Sequence, residues 1–162
     1  MYMSILEALR ELDFPTNVSR KNVLQPSQTS YKGLINNTGY WVNKGKPKQD
    51  LSRYTKQEKY KDIYKKAKAL MKRHNPKFKY TSIQFNKNQR TARHKDARNA
   101  TDSYIIALGD FTGGELRIWD EQTKTYKDYN IKNKFLRFNG AKFEHETRPF
   151  KGERYSLVFY NI

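Results

Sequence analysis

The sequence predicts an α+β fold in which a strand-rich half packs against a long amphipathic helix. Three observations lead there. From Tyr80 onward, short runs of β-branched and aromatic residues alternate with Gly, Asn and Asp, with no helical period. The runs are Tyr80–Asn86, Ser103–Leu108, Glu115–Trp119, Phe135–Phe138 and Tyr155–Asn161. Ahead of them, Tyr60, Ile63, Tyr64, Ala67, Leu70 and Met71 recur at steps of three and four, the apolar face of a helix from about Lys56 to Arg73. Finally, a chain of 162 residues can bury one core but not two. The expected organisation is therefore one domain, 1–162, with 1–79 as helical and loop-rich support and 80–162 as the β core. Many short strands with turn signals fit a sandwich, a jelly roll or a barrel.

The elements follow in order. Ser4-Ile5-Leu6-Glu7 has capping-box spacing ahead of Leu9 and Leu12, and a short helix ends before Pro15. Residues 16–50 are rich in Asn, Gln, Ser, Thr, Gly and Lys, which predicts loops with one short strand. Thr55-Lys56-Gln57-Glu58 is a second capping box, opening the long helix, and His74-Asn75-Pro76 stops it. The other face of that helix carries Lys59, Lys61, Lys65, Lys66, Lys68 and Lys72, and reads as a solvated surface on a buttress.

Composition narrows the function classes. The chain has 12 Tyr, 9 Phe and 2 Trp, which suit sheets, and no cysteine. A disulfide scaffold and any thiolate metal site are excluded. There is no apolar run of membrane-spanning length, and the first twelve residues contain Glu7 and Glu11, unlike a signal peptide. An intracellular protein, cytoplasmic or nuclear, is expected. Its net charge is +17, from 33 Lys+Arg against 16 Asp+Glu, which points to a polyanionic partner, nucleic acid first.

Three histidines are present, and two of them lie in the strand-rich half. His94-Lys95-Asp96 closes a predicted strand. In an extended segment residues two apart share a face, so both side chains reach one ion. His145 lies 49 residues beyond Asp96, and a second strand could bring it to the same place. Two imidazoles and one carboxylate leave three open positions on an octahedral metal, the facial triad of non-haem iron(II) chemistry. His74, at a helix end with no partner motif, reads as a surface histidine. Arg154 follows His145 by nine residues, and Ser156 shares its strand face. An arginine fork with a serine hydroxyl could hold the far carboxylate of a dicarboxylic keto acid. Gly109–Leu116 is a Gly-rich turn that lacks the features of a phosphate loop, and Asn139-Gly140 is a tight-turn signal.

Together these segments resemble the double-stranded β-helix of the iron(II)/2-oxoglutarate dioxygenases. HKD at 94–96, GDFTGGEL at 109–116, FNG at 138–140, His145 and PFKGERYSLVFY at 149–160 carry the resemblance, which spans about Tyr80 to Ile162. The resemblance implies a jelly roll with flanking N-terminal helices, and Fe(II), 2-oxoglutarate and O2 as the reacting partners. His94, Asp96 and His145 would hold the metal, and Arg154 and Ser156 the 5-carboxylate. The product would be a hydroxylated, or on nitrogen a demethylated, substrate.

His94-x-Asp96-x-x-Asn99 is also similar to the HxDxxN of the ten-eleven-translocation/J-binding-protein family, which oxidises the 5-methyl group of pyrimidines in DNA. In that family the Asn position contacts the base. The similarity makes Asn99 a candidate base contact and Arg98 a candidate phosphate contact; otherwise Asn99 caps a turn. The chain lacks that family's cysteine-rich region and long insert. Protein-residue hydroxylases of prolyl or lysyl type share the same frame and are the alternative. A non-catalytic nucleic-acid-binding module is the third reading, disfavoured because the ligand set is intact.

Overall fold

The computed structural model describes residues 2–18, 23–38, 40–42, 46–49 and 51–162. Helix α1 spans Tyr2–Glu11 and α2 Lys61–His74, the latter preceded by a 3-10 turn at Glu58–Tyr60. The strands are β1 (Thr16–Asn17), β2 (Tyr31–Asn37), β3 (Tyr40–Val42), β4 (Lys46–Gln49), β5 (Ser82–Lys87) and β6 (Ser103–Leu108). Then come β7 (Phe111–Gly113), β8 (Leu116–Asp120), β9 (Thr125–Tyr129), β10 (Leu136–Phe138), β11 (His145–Thr147), β12 (Phe150–Gly152) and β13 (Tyr155–Tyr160).

A large antiparallel sheet has the order β1-β2-β5-β13-β6-β10, so the last strand of the chain lies in its interior. A small sheet, β11-β8-β9, and the pair β12-β7 complete the barrel, and β3 pairs with β4. Strand alternation divides the large sheet's side chains between two cores. Leu34, Phe85, Ile106, Leu157 and Phe159 face the helices, meeting Leu9 of α1 and Ile63, Ala67 and Leu70 of α2. Ile105, Ala107 and Phe138 face the other way, toward Phe111 and Leu116 beneath the small sheet. This is the expected jelly roll, a double-stranded β-helix with helices flanking one sheet. Phe85 is fully buried where β5 meets α2, through Tyr64. Phe85→Ala is expected to cost about 3–5 kcal/mol, measured by urea unfolding.

The structure corrects three local expectations. Ser4 lies inside α1, so its capping box does not start that helix. Thr55 does not cap α2 either. Its hydroxyl bonds Asn37 Oδ1 (3.1 Å) and receives Asn37 N–H (3.2 Å), tying the helix entry to β2, and the α-helix starts only at Lys61. The third concerns 16–50. Its one expected strand is in fact several, and β2 is an interior strand of seven residues. Gly33, Asn36 and Asn37 are poor strand formers, but pairing with β5 along Lys32–Asn37 overrides that preference, while β1 covers the other edge at Tyr31 and Lys32.

Candidate metal centre and its cavity

Backbone pairing assembles the histidines. His94 N–H donates to His145 O (3.1 Å) and His145 N–H to His94 O (2.9 Å), a single antiparallel bridge on the free edge of β11. The HKD segment is thus extended but not part of a strand, contrary to expectation. Asp96 N–H donates to Gly140 O (2.8 Å), which pins the segment to the turn at 139–143. The imidazoles are oriented in the same way. Nδ1 of His94 lies 2.6 Å from Ala92 O and Nδ1 of His145 lies 3.0 Å from Phe143 O. A carbonyl oxygen only accepts, so each Nδ1 carries the proton and each Nε2 presents a lone pair.

Both lone pairs point at one carboxylate. Nε2 of His94 is 3.4 Å from Asp96 Oδ1, and Nε2 of His145 is 3.1 Å from Asp96 Oδ2. Lone pairs facing a carboxylate repel unless a cation or a proton lies among them. One ligand atom from each residue falls within 4.8 Å of the others, so this trio could hold a metal ion. Burial works against the Asp96 carboxylate. Where a proton takes the cation's place on an Nε2, its hydrogen bond and charge outweigh that burial and hold the carboxyl well below the ordinary range. Gly140 closes the cluster from the side. A Cβ there would sit 3.0 Å from His145 Cε1 and 3.1 Å from Asp96 Oδ2. Gly140→Ala is expected to displace both groups and weaken iron(II) binding about tenfold, read by anaerobic metal titration.

The trio lines a cavity of about 680 Å³. Gln84, Asn86, Ser156 and Val158 of the large sheet face Leu116 and Thr147 of the small one, and Lys95, Arg98 and Asn99 border the site. Asn99 also makes the turn contemplated for it, its N–H bonding Asp96 O (2.9 Å) and its amide Nδ2 donating to Ser103 Oγ (3.3 Å). Sequence reasoning missed Gln84 and Asn86. The available signal was polar residues at alternate positions of an otherwise apolar strand, Ile83-Gln84-Phe85-Asn86. Gln84 Nε2 donates to Asn86 Oδ1 (3.0 Å), and Asn86 Nδ2 donates to Ser156 Oγ (3.2 Å). Having accepted that bond, Ser156 can donate its own proton.

Arg154 differs from expectation. It lies just before β13 and is 2% exposed, and it does not line the cavity wall. Its Nη2 donates to Gly114 O (3.0 Å), and its guanidinium sits 5.6 Å and 5.5 Å from the rings of Phe111 and Phe150. The buried Nε has no hydrogen-bond partner. Gly114 takes a left-handed φ of +71°, and a Cβ there would lie 2.8 Å from that Nε, so glycine is required on both counts. Burial pushes the guanidinium pKa down to about 10, with the charge of Glu115 opposing. It remains a cation at neutral pH.

Residues 71–161, more than half of the chain, match the family described as the 2OG-Fe(II) oxygenase superfamily. The chain belongs to this superfamily. It is a 2-oxoglutarate-dependent iron dioxygenase, using Fe(II), 2-oxoglutarate and O2. No curated protein sequence matches it. Among solved structures, it is similar to an oxidoreductase of the 2OG-Fe(II) oxygenase family from Burkholderia pseudomallei, with 16% identity and a TM-score of 0.56 over 98% of this chain and 77% of that one. It is also similar to a bsmA homolog from Methylobium petroleophilum PM1, with 10% identity and a TM-score of 0.52 over 99% and 80%. NgTET1 in complex with 5mC DNA matches at 18% identity and a TM-score of 0.48 over 99% and 64%. At these identities the likenesses concern the fold and say nothing of the substrate.

The oxygenase's cofactors fit the residues present. Two nitrogens and one carboxylate oxygen are the donor set iron(II) accepts. A buried guanidinium with an orphaned Nε fits an anion, and a keto acid's carboxylate would supply one. Among the described residues no helix is long and apolar enough to cross a membrane.

Proposed function

We propose that the oxygenase holds iron(II) through His94, Asp96 and His145, grips 2-oxoglutarate through Arg154 and Ser156, and hydroxylates a C–H bond on a nucleic-acid base of 5-methylpyrimidine type. The observation that carries the metal assignment is the convergence of two Nε2 lone pairs and one carboxylate on a single point of the cavity. Bound iron(II) would let O2 oxidise 2-oxoglutarate to succinate and CO2 and the substrate C–H to C–OH, one oxygen atom going to each. The residues do the rest. Ala92 O and Phe143 O keep both Nε2 atoms available by holding the Nδ1 protons. Asn86 turns the Ser156 proton toward the cavity, and the charge of Arg154 answers the distal carboxylate. Ile105, Leu116 and Val158 exclude water from the reacting carbon.

The substrate class rests on the cavity rim and the overall charge. Asn99 offers an amide to a base edge, the rings of Phe138 and Tyr160 offer faces for stacking, and Arg98 offers charge for a phosphate. The net charge of +17 suits a polyanionic carrier. The test is incubation with iron(II), 2-oxoglutarate and oligonucleotides containing 5-methylcytosine or thymine, with nucleosides then separated and weighed by mass spectrometry. Oxidised methyl groups together with succinate are expected. Succinate released only with proline- or lysine-containing peptides would replace this reading with the protein-hydroxylase one.

A further inference from the structure

Between Asp62 and Asp96 the chain runs 33 residues without a carboxylate, through eleven Lys and Arg. The structure lays the first part of this run along one edge of the molecule. Lys61, Lys65, Lys68 and Lys72 follow helical spacing and are exposed on α2, opposite its buried Ile63, Ala67 and Leu70. Arg73, Lys77 and Lys79 continue the line past the helix end, all exposed. Lys61 pairs with Glu58 and Lys66 with Asp62; among the described residues Lys65, Lys68, Lys72, Arg73, Lys77 and Lys79 form no ion pair. The small sheet is different. There Arg93, Arg117 and Arg148 are each neutralised, by Glu144, Asp128 and Glu146. Exposed lysines elsewhere, Lys124, Lys127 and Lys151 among them, also form no ion pair among the described residues, and what sets this side apart is six such cations within residues 65–79.

That side leads to the cavity. Asn161 Nδ2 donates to Lys79 O (2.7 Å) and to Thr101 Oγ1 (2.9 Å), and Ala100 N–H donates to Asn161 O (2.8 Å). Their neighbours Asn99, Tyr160 and Ile162 line the cavity. The strip thus runs from the site's rim along the full length of α2, about 21 Å.

We infer that the exposed face of α2 and the 75–80 segment form a track for the sugar–phosphate backbone of a nucleic-acid strand, delivering one nucleotide to the cavity. The lysine face, which by sequence reads as a solvated buttress, gains this role from its unpaired charges and its continuity with the rim. The inference names the docking surface for the proposed substrate class and rests on that reading. A membrane is a poorer occupant, because the helix's large apolar side chains are all committed to the core and Ala69 is the one apolar residue on the exposed face.

The test compares two triple variants of equal charge change. One is Lys65→Glu/Lys68→Glu/Lys72→Glu, the other Lys124→Glu/Lys127→Glu/Lys151→Glu at exposed positions elsewhere. Fluorescent single-stranded DNA and RNA oligonucleotides are titrated at several salt concentrations, after circular dichroism has confirmed unchanged melting. The helix variant is expected to bind about ten- to a hundredfold more weakly, with a log–log salt slope shallower by about two. The control is expected to stay within about threefold of wild type. Equal weakening of both variants, or a helix variant that binds like wild type, overturns the track. Phosphatidylserine vesicles bound as tightly as the oligonucleotides, with the same dependence on the helix lysines, overturn the choice of nucleic acid. Failure of the substrate reading looks different. The track would stand, with the helix variant weakened, while no base in any oligonucleotide is oxidised.

Discussion

An Asp96→Ala variant is expected to lose iron(II) binding by more than about a hundredfold and to release no succinate from 2-oxoglutarate. Asp96 carries the anionic donor of the trio, and both imidazoles converge on it. Without it two neutral nitrogens remain, too few for a stable iron(II) site. The fold should survive, since the segment is still held by the backbone bridge between His94 and His145 and by Asp96 N–H to Gly140 O. Anaerobic titration provides the readout. Wild type with iron(II) and 2-oxoglutarate is expected to give the weak visible absorption of a chelated keto acid, and the variant none. A variant that keeps this absorption would remove His94, Asp96 and His145 as the metal site. His94→Ala and His145→Ala are expected to behave alike.

Arg154→Met is expected to separate co-substrate binding from metal binding. Truncating a buried, charge-assisted contact to a carboxylate costs about 3 kcal/mol, or about a hundredfold in the 2-oxoglutarate requirement. Iron(II) affinity without the keto acid should not change, because Arg154 touches Gly114, Phe111 and Phe150 and none of the trio. Stability should move the other way. The guanidinium pKa falls from 12.5 to about 10 in the folded state, so the folded protein loses this proton before the unfolded chain does. Stability therefore rises with pH between those values, and below about 10 the burial penalty is present in full. Methionine fills similar space without the charge, so the variant without cofactors should melt at the same or a higher temperature. An unchanged 2-oxoglutarate requirement would mean that the keto acid's far carboxylate is held elsewhere.

The two sites differ in how far they could be read before folding. His94-x-Asp96 needs only an extended backbone for its side chains to share a side, and that is a property of three consecutive residues. The apolar period of α2 is equally local, and it survives intact although both helix starts were misplaced. The capping boxes failed because Thr55 had a stronger partner in Asn37, 18 residues away.

By itself, the sequence determined the donor types and their order, the helix that backs the sheet, most of the strands after Tyr80, and the strong basic charge. Tertiary structure alone decided that His145 pairs with His94 across 51 residues, that β13 inserts between β5 and β6, and that the polar-rich segment at 31–37 becomes an interior strand. It likewise decided that Gln84 and Asn86 face the cavity, that Arg154 is buried beside Phe111 and Phe150, and that unpaired lysines line up toward the rim. The reason is common to all of these. Periodicity and donor chemistry act between neighbours in the chain, whereas sheet order, burial of a charge and charge neutralisation depend on partners that only long-range pairing brings together.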